Sequence, residues 1–297
     1  MERLNFFEGS MNREDKNLRI AVLGHGDIGQ RLLTRLQGKA SGYAFSRSEK
    51  VLPEGFRWHQ ADTRDVESYG ACLPELDALL ITLTPFDRGD EAYRLSYVEP
   101  IRQLVEFGKT LARCPLLMFV SSTAVYGQND GSRLSDDSPT EPQQYNGIRM
   151  LEAEQLLADS GLPHCRVRFS GIYGPERKRL FHKLVDEVQQ GGQYTDADAH
   201  WGNRIHVEDC AGVLEHILNL PEAQRENMYL ATDTEPVLRG QLKAYLATQL
   251  SAEGLPEFQC DAASGKQLFP ERLLRSEYSY RYPSYRKGYQ AQLAALK

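Results

Sequence analysis

The run Leu18-Arg19-Ile20-Ala21-Val22-Leu23-Gly24-His25-Gly26-Asp27-Ile28-Gly29-Gln30-Arg31-Leu32-Leu33 joins a strand to a helix through three glycines. Its first six residues are a short, mostly apolar run of strand length. From Ile28 to Leu36 the apolar residues recur at helical spacing. Between them lies G-x-G-x-x-G, a weak signal alone that gains meaning from the strand before it and the helix after it. Gly24 permits a tight turn, Gly26 lets the backbone approach a pyrophosphate, and Gly29 lets helix and strand pack closely. The free N–H groups at the helix start, around Asp27 and Ile28, then face phosphates.

Working outward, the first half repeats this strand-helix alternation. Strands are expected at 18–23, 43–45, 56–60, 78–83, 116–121 and 164–169. Helices are expected at 28–36, at 91–112 with a bend or break at Pro100, and at 145–158. Alternating βα units imply a parallel sheet with helices on both faces. The expected class is α/β, a Rossmann-type doubly wound parallel sheet with a small C-terminal substrate cap. The stretch 127–144 reads as a polar loop. After Gly174-Pro175 the pattern loosens, with helices at 180–190 and 209–218, a polar loop over 194–203, and 228–231 able to rejoin the sheet. The organisation is therefore a flexible extension over 1–16, a dinucleotide-binding domain over 17–174, and a smaller cap over 175–297 interleaved with the end of the sheet.

Composition narrows the function. The chain has 297 residues, 35 Lys+Arg and 41 Asp+Glu, a net charge of −6. A mildly acidic chain without a basic block is a poor binder of nucleic acid or anionic membranes. No apolar run approaches the ~18 residues of a membrane span, and the mean hydropathy is −0.51. Cys72, Cys114, Cys165, Cys210 and Cys260 are scattered and form no C-x-x-C, which fits reduced thiols in a cytoplasmic protein. No His, Cys or carboxylate cluster has metal-ligand spacing, so no metal is expected. Residues 1–16 lack the apolar core of a signal peptide, and Met11 could be an alternative start.

The second strand ends in Ser46-Arg47-Ser48. A site for NAD(H) wants an Asp or Glu there for the ribose 2′-hydroxyl. Arginine between hydroxyls suits a 2′-phosphate, because a guanidinium fork matches phosphate oxygens. NADP(H) is accordingly the preferred coenzyme, with NAD(H) the alternative; Arg47 could also be a solvated surface residue. Asp62 and Thr63 follow the third strand, where they can meet the adenine edge or cap the next helix. His25 sits inside the glycine loop, either covering the coenzyme or pointing to solvent.

Five further stretches carry a resemblance. They are Ser121-Ser122-Thr123-Ala124-Val125-Tyr126-Gly127, Tyr145-Asn146-Gly147-Ile148-Arg149, Arg168-Phe169-Ser170-Gly171-Ile172-Tyr173-Gly174-Pro175, Asn203-Arg204-Ile205-His206-Val207-Glu208-Asp209 and Tyr282-Pro283-Ser284-Tyr285-Arg286-Lys287-Gly288. With the glycine loop they resemble the extended short-chain dehydrogenase/reductase family, the NAD(P)-dependent epimerase/dehydratase group. The resemblance implies that Tyr145 exchanges a proton with a substrate oxygen, while Ser122 hydrogen-bonds the same oxygen and Thr123 stands beside it. The family lysine four residues after the tyrosine shares its helix face, favours the phenolate and grips the nicotinamide ribose. Here that position holds Arg149, which keeps the charge but is larger, rigid and unable to relay a proton.

The same resemblance implies that Leu83, Thr84, Phe169 and Ile172 line the coenzyme, and that Thr123, Gly171 and Arg204 face the substrate. Gly171 departs from the asparagine common in sugar-nucleotide members, and G-x-G-x-x-G from their usual G-x-x-G-x-x-G. Trp201 and Arg204 can line a pocket or pack the cap. His206 is read as structural, holding the start of the next helix. The expected activity is an NADP(H)-dependent oxidoreductase or epimerase on a small hydroxyl or carbonyl compound, sugar-derived ones included. The alternative is a catalytically silent NADP(H)-binding sensor or structural protein. Family members often dimerise through the helices corresponding to 91–112 and 145–158.

Overall fold

Burial alternates along the first strand as a two-residue period requires. In β1 (Leu18–Leu23), Ile20 and Val22 turn to one face of the sheet and Ala21 and Leu23 to the other, and all four are fully buried. A strand buried on both faces is the mark of a parallel sheet covered by helices. β2 (Ala40–Ser46) and β4 (Ala78–Ile81) flank it in parallel, with β3 (Phe56–Gln60) outside β2 and β5 (Leu116–Ser122) outside β4. The computed structural model describes residues 17–191, 193–252, 255–294 and 296. The extension expected over 1–16 lies outside the described residues.

The seven-stranded sheet runs β3-β2-β1-β4-β5-β7-β11, where β7 is His164–Phe169 and β11 is Met228–Ala231. Helices α1 (Asp27–Arg35) and α6 (Val207–Asn219) cover the Ile20/Val22 face. The helix α3 (Glu99–Thr110) and the helix α4 (Tyr145–Ala158) cover the Ala21/Leu23 face. This is the expected doubly wound α/β architecture. Strand order reverses beside β1, and the carboxyl ends of the strands there open the crevice in which such sheets bind ligands.

Most expected elements are found within a few residues of their ends, the usual uncertainty of helix and strand termini. The long helix is broken just ahead of Pro100: α2 (Asp90–Tyr93) passes through one π turn, Arg94–Val98, into α3. Pro100 lies in the first turn of α3, where its missing N–H costs nothing. Two expectations are corrected. The polar stretch 127–144 contains β6 (Asp130–Leu134), and 194–203 contains β9 (His200–Gly202). Both join a second sheet, ordered β12-β9-β13-β6, with β12 at Val237–Leu238 and β13 at Ser264–Leu268. A third change follows β3: the chain makes two 3₁₀ turns instead of a helix, and Asp65, not Asp62 or Thr63, caps the first by accepting from Glu67 N–H at 3.2 Å.

The remaining elements lie over the carboxyl ends of the main sheet. β8 (Gly171–Tyr173) pairs in parallel with β10 (Arg204–His206). Helices α5 (Lys178–Gln189), α7 (Arg239–Leu250) and α9 (Tyr285–Ala294) enclose a third apolar cluster that includes Phe181, Leu242, Leu246 and Tyr289. The short helix α8 (Glu271–Arg275) leads into a tyrosine-rich strap bound to α6. There Asp209 accepts from the Tyr278 hydroxyl (2.9 Å), Arg281 N–H (2.8 Å) and Tyr282 N–H (2.9 Å).

Candidate functional site

The three loop glycines do three separable things. Gly24 has φ +86°, and its N–H donates to Phe45 O at 3.1 Å, tying the loop to the end of β2. A Cβ on Gly24 would lie 2.9 Å from Thr82 O, and the Thr82 hydroxyl donates to Gly24 O at 2.6 Å. A Cβ on Gly29 would lie 2.8 Å from Val22 Cγ1, so glycine here lets α1 settle onto β1. Gly26 has nothing within 4 Å of the same position. It faces open space, and no side chain caps the first turn of α1. Bare helical N–H groups beside an unfilled approach suit a pyrophosphate.

Three clefts border this loop, and two of them run along the strand ends. The outer one, about 410 Å³, is lined by Gly24, Gly26, Ser46, Arg47, Asp62 and Thr63 from the sequence-derived set. The inner one, about 230 Å³, is lined by Gly26, Asp27, Ile28, Ser122, Phe169 and Ile172. Leu83 and Thr84, just beyond β4, line both. The polar outer cleft beside the end of β2 and the more enclosed inner cleft beside the end of β5 thus follow one strand edge. Arg47 stands on a shaped turn: Ser46 Oγ donates to Ser48 O at 2.8 Å and accepts from Trp58 Nε1 at 3.1 Å. Asp62 is closed by Arg64, whose guanidinium reaches it at 2.9 and 3.1 Å, and this pair lowers the carboxyl below its usual range.

The residues assigned to chemistry are less closely gathered. Ser122 ends β5, accepts from Ala124 N–H at 3.2 Å, and keeps its own hydroxyl proton for another acceptor. Thr123 begins the following turn and lines neither cleft. Tyr145 opens α4 and is 36% exposed. Its ring sits edge-on to Tyr93 at 5.4 Å, and its hydroxyl has no hydrogen-bond partner among the described residues. Arg149, one turn on, lines neither cleft: it grips Asp90 in two bonds of 2.8 and 2.7 Å and Glu152 at 2.8 Å. A Cβ on Gly171 would lie 3.0 Å from Asn203 O. Arg204 is buried beside Tyr285 and also lines neither cleft.

Beneath Ser122 lies a buried polar floor. Glu154, on α4, accepts from Ser121 Oγ at 2.6 Å and from Arg168, at the end of β7, at 2.6, 2.9 and 3.1 Å. Arg168 also donates to the Tyr126 hydroxyl at 3.0 Å. Burial pushes that phenol upward against the pull of the guanidinium. The network ties α4 to β5 and β7 at the level of the inner cleft. His206 caps α6 by accepting from Glu208 N–H at 3.2 Å and stacks on Tyr282 at 3.8 Å. Burial lowers it to about 4. A neutral imidazole used as a cap acceptor agrees with its structural reading.

Several lining residues were not singled out from sequence. Lys50 and Phe86 border the outer cleft, and Met150 and Arg177 the inner one. Arg177 also reaches Asp27 at 3.3 Å, while Arg31 bonds Asp27 at 2.8 Å and Glu176 at 2.5 Å, so the segment after Pro175 is laced to the glycine loop by charge. The position of Arg177, just past Gly174-Pro175, was the signal available for it. Among the described residues no group of three or more His, Cys, Asp or Glu could hold a metal ion, and no helix is long and apolar enough to cross a membrane.

Comparison with known proteins agrees with this fold. Residues 20–231 match the NAD dependent epimerase/dehydratase family, and the chain belongs to that family. Protein YeeZ of Escherichia coli K12 is 27% identical over 287 residues, covering 89% of this chain and 96% of that one. A provisionally named NAD-dependent epimerase/dehydratase from Methylobacillus flagellatus is 31% identical, with a TM-score of 0.78 and coverage of 95% of this chain and 99% of that one. The fold is also shared with UDP-glucuronic acid 4-epimerase from Bacillus cereus in complex with NAD, at 17% identity, a TM-score of 0.74, and coverage of 94% and 99%.

Proposed function

We propose that this member of the epimerase/dehydratase family is an NADP(H)-dependent oxidoreductase or epimerase acting on a small hydroxyl or carbonyl compound, with sugar-derived compounds the leading class. The observation that carries the reading is the continuous strand-end edge shared by the glycine loop, Arg47 and Ser122. The residues fit a dinucleotide: Gly26 leaves the phosphate approach open, Leu83 and Thr84 border both halves, and Phe169 and Ile172 wall the inner end. Arg47, with Ser46 beside it and no acid at the end of β2, favours the 2′-phosphate of NADP(H) over the bare ribose of NAD(H). When bound, the nicotinamide supplies hydride exchange with a substrate carbon.

The chain's own part is the proton and the orientation. The Tyr145 phenol exchanges a proton with the substrate oxygen, the Ser122 hydroxyl donates to that oxygen, and Arg149 supplies positive charge on the tyrosine's helix. Thr123, Gly171 and Arg204 belong to the substrate side, with residues 175–297 acting as the cap over a coenzyme domain of 17–174. A small-molecule site, an acidic surface and five free cysteines support a cytoplasmic enzyme without nucleic-acid or membrane partners, with the faces of α3 and α4 as the homodimer contact. Tyr145→Phe tests the assignment. Turnover should fall by about 10²–10⁴-fold while coenzyme affinity holds; unchanged turnover removes Tyr145 from the chemistry.

One observation favours a second reading. Arg149 is held by Asp90 and Glu152, so the charge the family lysine supplies is committed elsewhere. A silent NADP(H) sensor would bind the oxidised and reduced forms with different affinity and turn over no carbonyl. Arg149→Lys separates the two: activity confined to that variant marks the natural chain as the sensor.

A further inference from the structure

His25, between Gly24 and Gly26, is the one loop residue whose chemistry the coenzyme reading leaves unused. Its side chain is buried, with 7% of the residue exposed, and Nε2 has no hydrogen-bond partner. An orphaned buried ring nitrogen is uncommon, because an unmade hydrogen bond costs the desolvation of the group. The residue lines the outer cleft and also the third, of about 620 Å³, which runs along α1, and Gly26 and Lys50 border both. The Gly24–Phe45 bond sets His25 against the end of β2, where Arg47 projects.

Charge accounting around the ring shows what is missing. On α1, Arg31 is closed by Asp27, with Glu176 of the cap and Glu208 of α6 completing its shell. Arg35 is closed by Glu215, and Arg64 after β3 by Asp62. Among the described residues neither Arg47 nor Lys50 has an ion pair; Arg47 acts on Asp62 only at a distance, as a minor pull on its carboxyl. Two uncommitted cations and an imidazole whose Nε2 has no partner therefore border the outer cleft. Burial and then Lys50 hold His25 below its ordinary value, so it is neutral near pH 7 before an anion arrives.

We propose that His25 reads the 2′-phosphate of the coenzyme together with Arg47 and Lys50, accepting a proton from solvent as the phosphate dianion binds. The inference rests on the NADP(H) reading and deepens it. The balance is simple: neutral imidazole, dianion and one solvent proton become an imidazolium hydrogen-bonded to the phosphate. A bound dianion favours the charged ring, so discrimination between the two coenzymes becomes pH-dependent. NADPH affinity falls as pH rises past neutrality, and NADH affinity does not. No hydride or proton step changes, because His25 lines the outer cleft and not the inner one that holds Ser122.

The test is calorimetric titration of the full chain with NADPH and with NADH, at pH 6.5, 7.5 and 8.5, in two buffers of different ionisation enthalpy. Wild type, His25→Ala and His25→Gln are compared. Proton uptake should accompany NADPH and not NADH, and His25→Gln, which can donate but cannot titrate, should abolish it. His25→Ala should weaken NADPH by about tenfold or more, the scale of a lost hydrogen bond to a charged group, and leave NADH within about twofold. Equal weakening of both coenzymes by His25→Ala, or uptake that survives in His25→Gln, overturns the role of His25 while leaving the NADP(H) preference standing. NADH binding as tightly as NADPH to the wild type overturns both.

Discussion

Removing the Glu154 carboxylate should unsettle the site from below. Glu154 and Arg168 are almost completely enclosed, with side-chain exposures of 0% and 6%. Glu154→Ala deletes the acceptor of every Arg168–Glu154 bond and of the Ser121 hydroxyl, leaving the guanidinium with the Tyr126 hydroxyl as its remaining side-chain partner. Breaking one partner out of a buried pair costs about 3–5 kcal/mol, because an uncompensated charge stays behind. At roughly 2 °C per kcal/mol for a chain this long, the melting temperature should fall by about 6–10 °C. Urea melts followed by far-UV circular dichroism, with calorimetry alongside, measure it. The decisive control is Glu154→Leu with Arg168→Met. Replacing both charges by apolar groups of similar size should recover all but about 1 kcal/mol. If Glu154→Ala lies within 1 kcal/mol of wild type, or the double variant is as damaged as the two single losses added, the buried pair does not support the site.

The loop glycines should separate binding from folding: Gly26→Val keeps the wild-type melting temperature but loses the stabilisation that NADPH confers, whereas Gly29→Val, whose side chain meets Val22, lowers stability by about 1–3 kcal/mol; thermal shift with and without coenzyme distinguishes them. Burial pushes the Asp233 carboxyl up to about 8. The folded state then holds a proton that the unfolded chain releases near pH 4, so stability falls as pH rises towards 8, by at most about 1.4 kcal/mol per unit. His206 gives the opposite slope below about 6.5, so the test window is pH 6.5–8, where Asp233→Asn should flatten the curve; an unchanged slope refutes the assignment. Asp209→Ala strands three donors of the tyrosine-rich strap, and a docking loss of about 2 kcal/mol should speed tryptic cleavage after Arg281 by about thirtyfold; equal cleavage rates count against the clamp.

Elements built on local, periodic signals are legible in the amino-acid sequence. The 56–60 and 164–169 strands and the 145–158 helix need only apolar period and flanking breakers. The glycine loop is legible because backbone conformation and close approach restrict it to glycine. The second sheet is not. Its strands are short, half-polar and far apart in sequence: β6 pairs with β13 more than 130 residues away, and Ser264-Gly265-Lys266-Gln267-Leu268 carries no alternation to betray it. The expected cap at Asp62 or Thr63 fails for a related reason, since two acids in Asp62-Thr63-Arg64-Asp65 compete and the turn geometry selects the second. Arg149 shows the limit for sites. Its position on the tyrosine's helix and its pairing with Glu152 on that helix are legible, but its second carboxylate belongs to Asp90, on an element whose approach no local pattern encodes.

The contrast between floor and rim bears on how such a site can work. Under Ser122 the charges are buried, fully partnered and built from strand ends and a helix, so that end of the cleft is rigid. Around the opening the ion pairs are solvated: Arg177 with Asp27, and Arg31 with Glu176, each have at least one partner more than 40% exposed. Exposed pairs of this kind are held weakly and exchange readily with competing anions. A phosphorylated coenzyme or substrate arriving at the glycine loop therefore meets cations whose present partners can be displaced without disturbing the fold. Arg177 matters most, because it lines the inner cleft and is anchored on the cap. Turning it from Asp27 to a ligand would draw the cap and the glycine loop into one binding event. On the proposed function, the rigid floor would fix the substrate oxygen and the rim's exchangeable charges would govern when the cleft is occupied.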